Sequence, residues 1–325
     1  MNSEAGSQVK TQSKLTVLLV CGKERELLAQ VEAQFAKLKV AVELIHSDWD
    51  GCEQGACRHH LAVLVVAASE LPLVDKFLEI PVPTRRKVIV LLPVEAKLAD
   101  MVHLLMHPDV DQVIRRQFDW LHDLGVVLGV LLTGDIFGME KYLPNGEEVS
   151  YIRFHDYKGR QDVLDKVREV AQSAGLRRMR RDHAVQAAEE LVMNALYNAP
   201  RHEDGSMMFG SIDPHKRVAM ESPKPVSLRY AIIPDGLFMS VRDRFGALNK
   251  QTVLQYIHKC LTSDQQIDRK TIGAGLGIFL TARRVQSYII NMAPEVATEV
   301  IICLRQEKEL EAPATMLFFE YPKGG

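Results

Sequence analysis

The sequence has no charge excess, no apolar run long enough to span a bilayer and no closely paired cysteines. Each absence removes a class of function. The 40 basic and 42 acidic side chains leave a net charge of −2. Phosphate-backbone recognition normally requires a basic excess, so nucleic acid is not an expected partner. The longest apolar run, Leu124 to Thr133, is about half of what a membrane span needs, and no membrane association is expected. Residues 1–13 are rich in Ser, Gln and Lys and have no apolar signal core, so they read as a disordered tail of a cytoplasmic protein. The five cysteines (Cys21, Cys52, Cys57, Cys260, Cys303) contain no C-x-x-C pair. Cys52 and Cys57, with His59 and His60 nearby, leave a metal site open, but spacing favours buried or loop thiols in a reducing compartment.

What is present is ordinary globular composition, 47% apolar and 25% charged, over 325 residues. At about 100–200 residues per domain, that length predicts two domains. The first, residues 14–133, alternates strand-like runs (Lys14–Cys21, Val40–Ile45, Leu61–Val66, Lys87–Leu92, Val110–Ile114) with helical stretches (Glu24–Leu38, Ala96–Met106, Phe118–Leu132). Continuous apolar runs of this length suit parallel strands buried on both faces, so the expected fold is a doubly wound, flavodoxin-like α/β sheet. The strongly apolar last helix suits either a dimer contact or ordinary burial. Residues 134–147 read as a linker, because Thr133-Gly134-Asp135 breaks the helix and Leu143-Pro144-Asn145-Gly146 is a turn signal.

Residues 148–325 carry the chemistry. On the expected helix from about Leu176 to Ala199, Glu190, Asn194 and Asn198 step by four and share one face, beside a stripe formed by Ala184, Ala188, Leu191 and Ala195. A carboxylate and a carboxamide one turn apart suit a magnesium–phosphate site, though a solvated polar face has the same pattern. A hairpin follows, Val226–Ile233 then Leu237–Val241, ending in Asp243 and, three residues on, Gly246. An aspartate at a strand end can accept a hydrogen bond from an adenine amino group. About thirty residues later, Gly273-Ala274-Gly275-Leu276-Gly277 precedes a helical stretch, where backbone N–H groups and the helix dipole favour phosphate. Alone, that glycine pattern also fits a tight packing turn.

In this order, the E-x-x-x-N-A helix, the strand–Asp–glycine turn and GAGLG resemble the N, G1 and G2 boxes of the GHKL ATPase superfamily. The resemblance implies an α+β sandwich that binds ATP or ADP with Mg2+. It implies that Asn194 ligates the metal, Glu190 is the catalytic carboxylate and Asp243 reads adenine. Gly273, Gly275, Leu276 and Gly277 would line the phosphates, under a mobile lid over Lys250–Ile272. Asn198 and Gly246 would line the pocket, and Thr315 would contact adenine through water. One departure is that Phe245 stands two residues after Asp243, where the family has glycine. An insertion from Arg201 to Pro225, containing Gly, Pro and Met, separates the N-box helix from the next strand.

The first domain resembles a response-regulator receiver that lacks its chemistry, the alternative being an unrelated small α/β domain. Val20, Cys21 and Gly22 replace the acidic pair after the first strand, and Ala68 stands where the phosphate-accepting aspartate belongs. No Ser or Thr follows the fourth strand, and Arg115-Arg116-Gln117-Phe118 replaces the lysine–proline–aromatic step. Such a pseudo-receiver would not be phosphorylated in the usual way.

Neither His155 nor His183 sits on a helical hairpin before the N box, which disfavours a histidine kinase. The layout resembles the anti-sigma-factor serine kinases. That resemblance implies a protein-serine kinase regulated through the pseudo-receiver, with an anti-anti-sigma-like or sigma-factor-like protein partner. A non-catalytic, nucleotide-dependent scaffold is the alternative reading. The basic run Arg177–Arg181 reads as a solvated helix face in preference to a partner-binding patch.

Overall fold

Val- and Ile-rich runs can be buried on both faces only if helices cover both sides of their sheet. The computed structural model describes residues 15–20, 24–37, 42–47, 63–67, 71–79, 87–210, 212, 216, 219–262, 275–306 and 312–321. Strands β1 (Leu15–Val20), β2 (Val42–Ser47), β3 (Val63–Ala67), β4 (Val88–Leu92) and β5 (Val110–Arg115) pair in parallel in the order β2-β1-β3-β4-β5. This is a common doubly wound order. Helices α1 (Arg25–Phe35) and α4 (Trp120–Thr133) place Leu27, Val31, Leu124 and Leu128 against Val65, Ile89 and Leu91. Helices α2 (Leu71–Leu78) and α3 (Leu98–Leu105) cover the other face, with Val74, Met101 and Leu105 against Val66, Val90 and Leu92. Each such side chain contributes about 1.5–3 kcal/mol by leaving water.

The second half adds β6 (Ser150–Phe154), β7 (Val226–Ile233), β8 (Gly236–Asp243), β9 (Ser287–Ala293), β10 (Ala297–Arg305) and β11 (Thr315–Glu320). Their order is β11-β9-β10-β8-β7-β6, antiparallel except for the parallel β11–β9 pair. Helices α5 (Tyr157–Ser173), α6 (Arg178–Met193), α7 (Lys250–Thr262) and α8 (Leu276–Arg284) layer one face. Helix α5 begins at Tyr157 because Asp156 caps it, its carboxylate accepting from the Gly159 N–H at 2.7 Å.

The two halves form one mixed α/β sheet of eleven strands, because β11 pairs antiparallel with β5. The joint is tied by polar groups as well. Gln112 Nε2 donates to the Phe318 carbonyl at 2.9 Å. The Arg115 guanidinium, 5% exposed, donates to the carbonyls of Pro313, Ala312, Val94 and Ala96. Lys250 Nζ at the start of α7 reaches the Val110 carbonyl at 2.6 Å and Asp111 at 2.8 Å, and α7 packs on α3. Residues 134–147 also pack firmly: Ile136, Met139, Tyr142 and Leu143 are buried, and the Gly138 N–H donates to Glu299 at 2.7 Å. Among the described residues, no helix is long and apolar enough to cross a membrane.

Candidate functional site

Helix α6 lies along β8 with its small-residue face inward, burying Ala184, Ala188 and Leu191. Small side chains allow the close approach that sets the neighbouring polar face beside the sheet. The helix does not continue regularly to Ala199. Residues Asn194–Asn198 are wound as a π-type turn, with the Ala199 N–H donating to the Asn194 carbonyl at 2.8 Å. Wider winding stacks residues four apart almost directly above one another, and such turns recur at functional sites. Asn194 Nδ2 donates to Glu190 Oε1 at 2.9 Å, and Asn198 Nδ2 donates to Asn194 Oδ1 at 2.7 Å. The sequence-expected triad is therefore one hydrogen-bonded chain, with all three members partly buried. Burial raises the Glu190 carboxyl above its ordinary range, Asn194 opposes the shift, and Glu189 adds to it.

The first turn of α8 closes over this chain. A methyl group added at Gly277 would collide with the Glu190 carboxylate, and one added at Gly275 would meet the Tyr256 ring. Close approach to a ring requires glycine at 275, and at 277 any side chain would force the Glu190 carboxylate to move. The first intrahelical bond of α8 runs from the Phe279 N–H to the Gly275 carbonyl, so the amides before it have no partner within the helix. An unpaired helix start beside the carboxylate that heads a row of two carboxamides can hold an anion together with a hard cation. Gly273 and residues 263–272 lie outside the described residues. Residues 250–262 form a helix with Val253, Leu254 and Ile257 buried, so this first part of the expected lid is packed in place.

Asp243 ends β8 on the same sheet face as α6, since β8 alternates and Leu237, Met239 and Val241 face that core. It is 6% exposed, and burial raises its carboxyl above the ordinary range. One oxygen accepts from the N–H groups of Phe245 (2.7 Å) and Gly246 (3.1 Å). The glycine comes at 246 because that residue has φ +64°, and a side chain there would strike the Ala293 carbonyl.

Thr315 is not part of this group. It starts β11 on the opposite face, where its hydroxyl donates to Asp123 of α4. The threonine beside Asp243 is Thr298, its register partner on β10, buried on the same face. The Thr298 amide and hydroxyl lie close enough to favour the charged aspartate. Thr298 is not among the residues that the sequence motifs singled out. The signal that could have found it was the alternation of Thr298, Val300 and Ile302.

The other candidates have different surroundings. Arg180, inside the basic run expected to be a solvated face, is buried and donates to the carbonyls of Arg305 and Arg284, both at 2.9 Å. Arg177 and Arg178 are exposed. His183 is buried, while His155 is exposed near Asp156 and Glu221, with potential ligand atoms within 4.8 Å of one another. Exposed groups of this kind are common without a metal, and Asp156 is already the α5 cap. Cys260 and Cys303 are free buried thiols, Cys303 pushed up to about 12 by burial, whereas Cys21, Cys52, Cys57, His59 and His60 lie outside the described residues.

In the first half, the receiver-like crevice would lie beyond the carboxyl ends of the parallel strands. There Arg116 pairs with Glu24, and no Ser or Thr stands in Leu92-Pro93-Val94. Ala68, Cys21 and Gly22 are outside the described residues. No family model matches the chain, and no curated protein matches its sequence.

Proposed function

We propose that the protein is an ATP- and Mg2+-binding signalling regulator, acting as a protein-serine kinase of the anti-sigma type. The observation that carries this reading is the Glu190–Asn194–Asn198 chain beneath the glycine-requiring first turn of α8. The donor set fits a small hard cation: one carboxylate and two carboxamide oxygens on one helix face. Asn194, with Asn198 beside it, would hold Mg2+, which supplies charge neutralisation to phosphate oxygens when bound. The amides opening α8 would hold phosphate oxygens directly, and Asp243 with Thr298 would receive the adenine edge. Glu190, made more basic by burial, is suited to take the proton from a serine hydroxyl of a partner protein. The first half would act as a pseudo-receiver that docks or relays a regulatory protein.

Isothermal titration with Mg-ATP and Mg-ADP, with and without chelator, tests the binding step. Wild type is expected to bind, and Asn194→Ala to weaken binding about 100-fold, or ~2.7 kcal/mol. Absence of binding at millimolar nucleotide would sink the reading. Radiolabelled ATP with candidate partner proteins then tests transfer.

A second reading, a nucleotide-dependent scaffold without transfer, is favoured by one observation. Asp243 spends one carboxylate oxygen on its own turn, through Phe245 and Gly246. Nucleotide binding without any phosphate transferred or released would select it.

A further inference from the structure

On the sheet face away from α5 and α6, the outer strands β6, β7 and β8 carry a cluster of cations. Arg153, Arg229 and Arg242 point to that face, since they alternate with the core residues Phe154, Leu228 and Val241. With Lys224 and Arg244 they line an open depression of about 860 Å³, and Glu295 is its only carboxylate. Arg229 is paired with Glu140, and Arg242 lies over the Phe137 ring at 4.0 Å. Arg153, Arg242 and Arg244 have no ion pair with a carboxylate among the described residues. Five cations, one of them paired with Glu140, against the single lining carboxylate Glu295 stand out in a chain of net charge −2, and such clusters concentrate a local positive field.

A second observation is independent of charge. Among the described residues, β6 is the last strand of the sheet and one of its backbone edges has no strand partner. It contains no proline and holds Tyr151, 64% exposed, two residues from Arg153, whose guanidinium sits 5.6 Å from the tyrosine ring centre. A single charge would be enough to protect such an edge from aggregation, and five cations exceed that need.

We propose that this face binds an acidic, extended polypeptide segment of a partner protein, which adds as a strand along β6. Main-chain hydrogen bonds would supply part of the affinity, as in other strand-addition complexes. Every second side chain of the added strand falls on the basic face, at the same two-residue repeat as Tyr151 and Arg153. Carboxylates there meet guanidinium groups, which accept them bidentately. A single-stranded nucleic acid fits less well, because Tyr151 is the one exposed aromatic ring lining the depression and stacking platforms normally offer several. The inference does not depend on nucleotide binding at Glu190 and Asn194.

The test uses the full chain and a fluorescein-labelled peptide of about ten alternating Glu and Thr residues, read by anisotropy at low salt. Three comparisons accompany it: a Lys–Thr peptide, the Glu–Thr peptide N-methylated at alternate amides, and an oligothymidylate of equal charge. The Glu–Thr peptide is expected to bind, with affinity falling about tenfold on raising salt. Arg153→Glu combined with Arg242→Glu should weaken it at least about tenfold with the melting temperature retained. Should that pair lower the melting temperature, Arg153→Gln with Arg244→Gln gives the same reading with less disturbance. One of the two N-methylation registers should also bind more weakly. Absent binding, binding insensitive to both charge variants, or tighter binding of the oligothymidylate would each overturn the proposal.

Discussion

The two halves of the sheet hold polar side chains at comparable places, and they use them differently. At the carboxyl ends of the parallel strands, Arg115 is fully occupied by four carbonyls, and Arg116 by Glu24. These groups hold chain segments together. In the antiparallel half, the side chains of Glu190, Asn194 and Asn198 bond to one another and, among the described residues, to no other group, along one partly buried helix face beside a glycine turn. A chain of amides and a carboxylate can exchange its internal bonds for a ligand, whereas a guanidinium held by four backbone carbonyls cannot do so without opening the fold. The difference is between polar groups that tie chain segments together and polar groups that can exchange partners, and the proposed function rests on the second kind.

The largest test of that contrast is Arg115→Ala. It strips the buried carbonyls of Pro313, Ala312 and Ala96, and the part-buried one of Val94, of a charged donor, and should cost about 3 kcal/mol or more in urea denaturation. Both halves should lose stability in the same transition, because the joint belongs to both. If the second half alone kept its midpoint, the continuous sheet would not be one cooperative unit.

Gly277→Ala comes next. The added methyl group must displace Glu190 or shift α8, at about 1–3 kcal/mol. Mg-ATP affinity should fall at least about tenfold, read by titration at a temperature where the variant remains folded. Wild-type affinity would show that the contact between α8 and Glu190 is packing alone.

Glu190→Gln should have a smaller and opposite effect on stability. A carboxyl whose pKa is raised on folding stabilises the fold most while protonated, below its unfolded value, and that contribution disappears as pH rises through the raised folded value. The Gln variant should therefore gain on wild type as pH climbs from about 4 toward neutral. A melting-temperature difference that stays constant across that range would contradict the burial of this charge. The same variant should retain nucleotide binding while losing any phosphate transfer.

Smallest of all, Arg116→Ala removes a partly exposed ion pair and should cost no more than about 1 kcal/mol. Nucleotide affinity should be unchanged. A change in affinity would mean that the strand-end crevice of the first half communicates with α6 after all.

Much of the local structure was legible in the sequence. Val226–Ile233 could be read with its observed bounds because Pro225 precedes it and the Pro-Asp-Gly turn at 234–236 follows it. The Glu190, Asn194, Asn198 spacing was also readable, since helical geometry alone puts these side chains on one face. What it could not supply was pairing. Thr315 and Thr298 are both strand threonines, and only the register of β10 on β8 shows which one stands beside Asp243. The β5–β11 joint likewise depends on partners about two hundred positions apart, for which no local pattern exists. The π-type winding after Met193 has no composition signal, and the buried role of Arg180 appears only once β10 and the end of α8 supply its two carbonyl acceptors.

The β5–β11 joint also has a consequence for biosynthesis. Strand β5 is complete by residue 115, but its antiparallel neighbour begins at Thr315. While the intervening chain is being translated, the parallel sheet carries an open, apolar border of Val110, Val113 and Ile114 that invites pairing with other nascent chains. Release of the last strand from the ribosome is therefore the event that seals the first half as well as the second.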